Sequence, residues 1–322
     1  MEELEPRKRD DDGRLLPRKL SKIRAERYKE HLLATRSAQT TYSYMQAVQR
    51  FDNFLDKSGV LMRSAPPGIL DDFVTALSKL KLSPATIALT IAAIKSYTGW
   101  CRNHEEGGCP QFDQPKLPKR DLKIPFVLTT DQLSSYFKHV SKIDEPSRTA
   151  LLILPFCGLR VTELCKVTLD RFRTNYRDKS GNNWTVFMII GKGRKGRVAP
   201  LLRPGAEILR EYLLKWRKKQ RPSAWLFPGK NIKGRKTDAL SAKTLQAHLR
   251  HIRIRMNLPE NLTPHVLRKT CFTNLYRKGV SIQTIAWIAG HSSIEMTMKY
   301  YIHVSTEDVL SELDTAMKGK VT

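Results

Sequence analysis

Four short stretches of this chain hold polar side chains that no packing pattern requires. In "LLILPFCGLRVTELCKV" an apolar helical run ends at Gly158, Arg160 follows, and Glu163 stands three residues further on. A guanidinium at a helix junction, oriented by a carboxylate at i+3, suits a phosphate clamp, although the same pair also serves as an ordinary salt bridge. In "LTPHVLRKTCF", Thr263 caps a helix, Pro264 takes its first turn, and His265 and Arg268 lie three apart on one face. Free N–H groups and the positive end of a helix dipole, joined by His and Arg, make an anion site. In "IIGKGRKGR", Lys192 occupies a glycine-rich turn. Such a lysine is usually only solvated, yet from a hairpin tip it can reach into a groove. In "IAGHSSIEMTMKYYIHV", Gly290 ends one helix and Ser292 with Glu295 opens another, so His291 lies in the joint. On the second helix Ile294, Met298 and Tyr301 share a stripe that faces a core. Tyr300 is rotated about 100° from that stripe. Packing explains Tyr301 and leaves Tyr300 unexplained.

Together these segments supply two arginines, two histidines, a lysine and a tyrosine, with few carboxylates. Metal-dependent phosphate chemistry needs clustered carboxylates to hold Mg²⁺, so no metal and no other cofactor is expected. The set suits phosphoryl transfer in which cationic donors bear the charge on the phosphate oxygens and a phenol attacks in line. A phosphotyrosine ester conserves the energy of the broken bond, so strands can be rejoined without ATP. Cys101, His104 and Cys109 hint at zinc, but they offer three ligands with no matched second pair.

The elements that must position these groups are mostly helical. From residue 18 to 105, "TTYSYMQAVQRFDNFLDKSG" spaces Tyr44, Val48, Phe51 and Leu55 at helical intervals before Gly59. "ILDDFVTALSKLK" and "SPATIALTIAAIKSYTGWCRNH" follow, the latter with Ser83 as cap and Pro84 in first position. A helical bundle is expected here, after a charged extension over 1–17. Residues 106–125, rich in Pro, Gly and Lys, read as a linker. A second domain over 126–304 opens with a Thr-capped helix. It continues as helices except for "NWTVFMII" and "GRVAPL", which form a hairpin around "GKGRK". The fold class is thus mainly α: a helical bundle plus a mixed α/β domain with a small antiparallel sheet. The tail, 305–322, spaces Val309, Leu310, Leu313 and Met317 at helical intervals, for packing on its own domain or a neighbouring protomer.

Charge names the partner class. The chain carries 57 Lys+Arg against 31 Asp+Glu, a formal net charge of +26. Residues 1–24 hold eight basic and six acidic side chains, so the excess lies in the folded body. Such a body repels itself unless an anionic polymer neutralises it, and a nucleic-acid backbone is the expected partner. No stretch approaches the roughly 20 apolar residues that span a bilayer. The N-terminal segment lacks the apolar core of a secretion signal. Five irregularly spaced cysteines read as free thiols. A cytoplasmic, nucleoid-associated protein without membrane contact is expected.

The constellation resembles the tyrosine recombinases, the family of phage integrases and the Xer proteins. Arg160 in "GLRVTEL", Lys192 in "GKGRK", His265 and Arg268 in "TPHVLRKT", and His291 in "GHSS" match the family's motifs in order. Tyr300, nine residues after His291, stands where the family places its nucleophile, with Tyr301 in "YIHV" as the fallback. "SAQTTYSYMQAVQRFDNFL" and "LSPATIALTIAAIKSYTGW" resemble the family's SAM-like core-binding domain. The segment "TNYRDKSGNN" lengthens the gap between Arg160 and Lys192 relative to compact members, which keeps Lys195 as an alternative.

The resemblance implies a site-specific DNA recombinase working through a 3′-phosphotyrosyl intermediate. Arg160, Arg268 and His291 would hold the phosphate, Lys192 would protonate the leaving 5′-oxygen, and His265 would take the tyrosine proton or brace the phosphate. Glu163 would orient Arg160, while Arg194, Lys195 and Arg197 would contact DNA. It further implies double-stranded DNA with inverted-repeat core sites, a homo-tetramer on that DNA, and an accessory directionality protein. Two other classes share the motifs: a type IB topoisomerase-like enzyme and a catalytically silent DNA-binding protein.

Overall fold

The computed structural model describes residues 22–104, 111–119, 126–190, 196–220, 222–229 and 239–290. Its chain divides into two units, Met1–Leu122 and Lys123–Thr322. Lys192, Arg194, Lys195, His291, Tyr300, Tyr301 and the tail 305–322 lie outside the described residues.

The first unit is built on four helices: α1 (Lys22–Thr35), α2 (Ala38–Lys57), α3 (Ile69–Lys79) and α4 (Pro84–His104). Ser37 and Ser83 accept from the N–H groups of Thr40 and Thr86, closing the first turns of α2 and α4. On α2 the expected stripe is buried at Val48, Phe51 and Leu55. Phe51 and Leu55 pack with Phe73, Leu77, Ile87 and Ile91, while Val48 joins Tyr28, Tyr97 and Trp100 in a second, aromatic cluster. Part of the proline-rich stretch read as linker is held down. Asp113 N–H donates to Pro67 O, Lys116 N–H donates to Asp71 Oδ1, and Phe112 enters the core. Its apolar ring outweighs the linker composition of its neighbours.

In the second unit, α6 (Ser147–Cys157) is the central element, touching α5 (Thr130–Val140), α7 (Val161–Cys165), α8 (Arg203–Lys215), α9 (Ala242–Arg255), α10 (Pro264–Arg277) and a small sheet. Its sequence SRTALLILPFC is apolar nearly all round, as a helix covered on every side must be. The sheet is antiparallel in the order β1 (Phe172–Arg177), β2 (Asn183–Ile190), β3 (Gly196–Leu201). The hairpin of β2 and β3 agrees with the sequence reading, but β1 is additional. Its residues FRTNYR are exposed beyond Phe172, so no alternation betrays the strand. The turn after β1 is organised by Asp178, which accepts from Ser180 N–H, Asn182 N–H and Trp184 Nε1–H. The segment that lengthens the Arg160–Lys192 interval is therefore a strand and an ordered turn. Finally α11 (Ile282–Ala289) packs on α10 and β3.

Candidate active site

The site begins where α6 stops. Gly158 caps that helix in the left-handed region, φ 58°, and a β-carbon there would lie 2.5 Å from the Phe272 ring. Only glycine meets both demands. The chain then turns into α7, a helix of five residues with Arg160 as its N-cap. Glu163, in that first turn, receives Arg160 N–H at 2.9 Å on one oxygen and Arg160 Nη1–H at 2.9 Å on the other. The Arg160 side chain remains 47% exposed while Glu163 is 13% exposed. The guanidinium is thereby aimed from its inner edge and left open on its outer one.

Arg268 arrives from α10, whose start is formed as expected: Thr263 caps it, with Val266 N–H donating to Thr263 Oγ1 at 3.3 Å. His265 and Arg268, three residues apart near this start, part company. His265 reaches the surface, whereas Arg268 is 1% exposed and buried against the Phe272 ring, 5.1 Å from its centroid. Arg268 Nη1 donates to Gly158 O and Nη2 to Ala289 O, both at 2.5 Å. These carbonyls end α6 and α11, so two helix C-termini direct their partial negative charge at one buried cation. Glu163 Oε2 lies 4.0 Å from Arg268 Nη1.

Arg197, expected among the DNA contacts, lies on β3 with its side chain turned inward. Its side chain is 9% exposed, and Nη1 and Nη2 donate to the two oxygens of Glu163 at 3.1 and 2.8 Å. Its Nε donates to Ile288 O, in the last turn of α11. The readable signal was register: Arg197 pairs with buried Ile189 and shares a face with buried Ala199 and Leu201. A period of two thus carries this arginine inward.

Three guanidinium groups from three elements therefore surround one carboxylate. Burial pushes the Glu163 carboxyl up, but the hydrogen bonds from Arg197 and Arg160 outweigh it and hold the group below its usual range. The His265 imidazole is pushed down, first by burial and then by the charges of Lys269, Arg268 and Arg160. Lys269, which the sequence reading did not single out, is itself lowered by burial. The net charge of the cluster is positive and its partly open members are Arg160 and His265, an arrangement able to grip an anion.

A sequence model described as the phage integrase family matches residues 127–308, more than half of the chain. The chain belongs to the phage integrase family. The family's N-terminal SAM-like domain matches residues 25–104. This phage integrase family member is 26% identical over 300 residues to a tyrosine recombinase of Pseudothermotoga lettingae, covering 91% of this chain and 98% of the relative. It is 27% identical over 295 residues to the tyrosine recombinase XerD of Rickettsia conorii, covering 88% and 95%. In fold it is similar to the XerH site-specific recombinase in a post-cleavage complex with palindromic difH. There the TM-score is 0.69 at 20% identity, covering 91% of this chain and 84% of the other. It is also similar to a lambda integrase dimer bound to a core site, with a TM-score of 0.62 at 14% identity, covering 87% and 76%. In this family member α7, α10 and β3 bring Arg160, Glu163, His265, Arg268 and Arg197 together, while the ends of α6 and α11 supply the carbonyls that hold Arg268 and Arg197. Among the described residues no helix is long and apolar enough to cross a membrane.

Proposed function

We propose that this protein is a site-specific DNA recombinase that breaks and rejoins DNA through a covalent 3′-phosphotyrosyl intermediate on Tyr300. One observation carries the reading beyond family membership: the surplus positive charge built around Glu163 by Arg160, Arg197 and Arg268. A phosphodiester passing to a phenol spreads negative charge over its non-bridging oxygens, and preorganised guanidinium donors stabilise that charge. Arg160, half exposed and braced from behind, would take one oxygen. Arg268 would add charge from beneath, with His291 following directly on the α11 cap. The phenol of Tyr300 attacks phosphorus, the bond to the 5′-oxygen breaks, and Lys192 delivers a proton to that oxygen. His265, held towards its neutral form, is suited to accept the proton of the phenol. Rejoining reverses the sequence with a 5′-hydroxyl from the partner strand.

The cationic side chains around Glu163 repel rather than ligate a divalent ion, which supports a reaction independent of metal, and a phosphotyrosyl ester that keeps the energy of the broken bond would need no ATP. The XerH and lambda integrase structures are described with DNA, and the net charge of +26 supports duplex DNA as the partner here. A homo-tetramer on that DNA is part of the proposal. The second unit has an apolar groove of about 290 Å³ lined by Phe156, Trp184, Leu202, Cys271, Leu275 and Ile288. It offers a seat for the apolar stripe of a tail 305–322, from the same or a neighbouring protomer.

The test is covalent capture. A pool of nicked duplexes with randomised arms is incubated with the protein in EDTA, and denaturation-resistant adducts are recovered and sequenced. Adducts mapping to Tyr300, followed by exchange between two labelled copies of the recovered duplex, are expected. Absence of any adduct, or its loss in EDTA, defeats the proposal; adducts without exchange point to a topoisomerase-like enzyme instead.

A further inference from the structure

Arg197 makes too many inward contacts for a DNA-binding side chain. Its fork takes both oxygens of Glu163 at 3.1 and 2.8 Å, leaving the opposite side of that carboxylate to the N–H and Nη1 of Arg160. Its Nε holds the Ile288 carbonyl at 3.1 Å. Gly290, φ 63°, lies directly over it: a β-carbon at that position would come within 3.0 Å of Arg197 Cδ, Nε and Cζ. One side chain on β3 thus fixes the first turn of α7 and the last turn of α11, from which the chain runs into His291. Burying such a pair adds little net stability compared with apolar residues of the same volume, because both charges lose water. What it does supply is geometry. With both oxygens taken by the fork, Glu163 cannot rotate towards Arg268 or follow Arg160 outward.

We infer that Arg197 is a positioning residue for DNA cleavage, acting through Glu163 and the end of α11 and making no contact with DNA itself. This rests on the recombinase reading. The groups facing Glu163 are Arg160 at the start of its own helix, Arg197 from β3, Arg268 from α10 and the Cys157 thiol from α6. Loss of Arg197 leaves the burial of that carboxyl and removes its principal donor, so the carboxyl protonates at higher pH.

The experiment is single-turnover cleavage of the nicked duplex recovered by the wild-type protein, with affinity measured separately, for R197M, R197K, E163Q and E163Q/R197M. R197M is expected to cleave about 100-fold more slowly, the order of loss for a slightly misplaced catalytic group. Its affinity and the salt dependence of binding stay as in wild type, because no phosphate contact is lost. Its acid limb of the pH–rate profile moves to higher pH. On the E163Q background R197M costs far less than on wild type. R197K keeps the charge but not the fork and falls between; it also decides the matter if R197M does not fold. Wild-type rates in R197M or R197K overturn the inference, as does a parallel loss of affinity with a shallower salt slope, which would make Arg197 a DNA contact. A wild-type protein that forms no adduct defeats the recombinase reading instead, and is distinguishable because it fails before any variant is compared.

Discussion

Arg268 Nη1 donates to the carbonyl of Gly158, 110 residues earlier in the chain, at 2.5 Å. The contact exists because the left-handed cap of α6 turns that carbonyl towards α10. Together with Ala289 O, it lets a guanidinium remain charged at 1% exposure while its carboxylate neighbour stands 4.0 Å away. The ends of two helices stand in for part of the missing counter-ion.

Gly158→Ala therefore disturbs fold and site at once. A non-glycine residue in the left-handed region costs roughly 1–2 kcal/mol, and crowding of Phe272 adds about 1–3 kcal/mol. Thermal melts should show the loss, and the cost should shrink on a Phe272→Leu background, where the ring atoms 2.5 Å from the new methyl are gone. Equal costs on both backgrounds would mean the ring is not the obstacle.

Glu163→Gln leaves three guanidinium groups without their carboxylate. The loss of stability should fall towards the lower end of the roughly 3–5 kcal/mol seen when one partner of a fully buried pair is removed, since Glu163 and Arg160 keep some water. The sign with pH follows from the depressed carboxyl. Its contribution is complete above the unfolded value of about 4.3 and is lost as pH falls through the lower folded value. Urea denaturation across pH 2–7, a range chosen as about two units either side of that value, should show wild type and variant converging at the acid end.

Thr270→Val tests how α10 is tied to the start of the second unit. Thr270, 0% exposed, accepts Leu128 N–H at 3.0 Å and donates to Val266 O. Valine keeps the shape but leaves the Leu128 N–H unanswered in the interior, a cost of about 1–3 kcal/mol. An unchanged denaturation midpoint would show that this N–H finds another acceptor.

His265 should titrate below the ordinary imidazole value near 6.5, because burial and then Lys269, Arg268 and Arg160 all disfavour its cation. Lys269→Gln removes the first of those charges, so the NMR midpoint of the His265 ring should move up. A midpoint unmoved by the substitution would leave burial with Arg268 and Arg160 as the cause.

Tyr300→Phe should abolish the covalent DNA adduct with binding retained, whereas Tyr301→Phe should keep the adduct. The reverse pattern in the capture assay would transfer the nucleophile to Tyr301.

Much of this protein could be read without coordinates because its signals are local. Thr129, Ser83 and Thr263 cap helices because their hydroxyls reach an N–H two or three residues away. Gly158 and Gly290 end helices because the left-handed torsion of a helix cap favours glycine whatever packs against it. The stripe of Val48, Phe51 and Leu55 follows from 3.6 residues per turn. The direction of a long charged side chain is another matter, since it depends on partners distant in sequence. Arg197 and Arg160 look alike in a basic, glycine-rich sequence, yet one is 9% and the other 47% exposed. Register with Ile189 turned Arg197 inward, and Glu163 and Ile288, 34 and 91 residues away, received it. The exposed strand β1 escaped notice for the same reason, being defined by hydrogen bonds to β2 rather than by any pattern of its own. Residue types and local spacing pointed to the family, most of the helices and a list of candidate reactive groups. Which cations face an incoming anion and which brace the others was decided by tertiary packing, because a guanidinium goes where distant carbonyls and carboxylates leave it the lowest electrostatic energy.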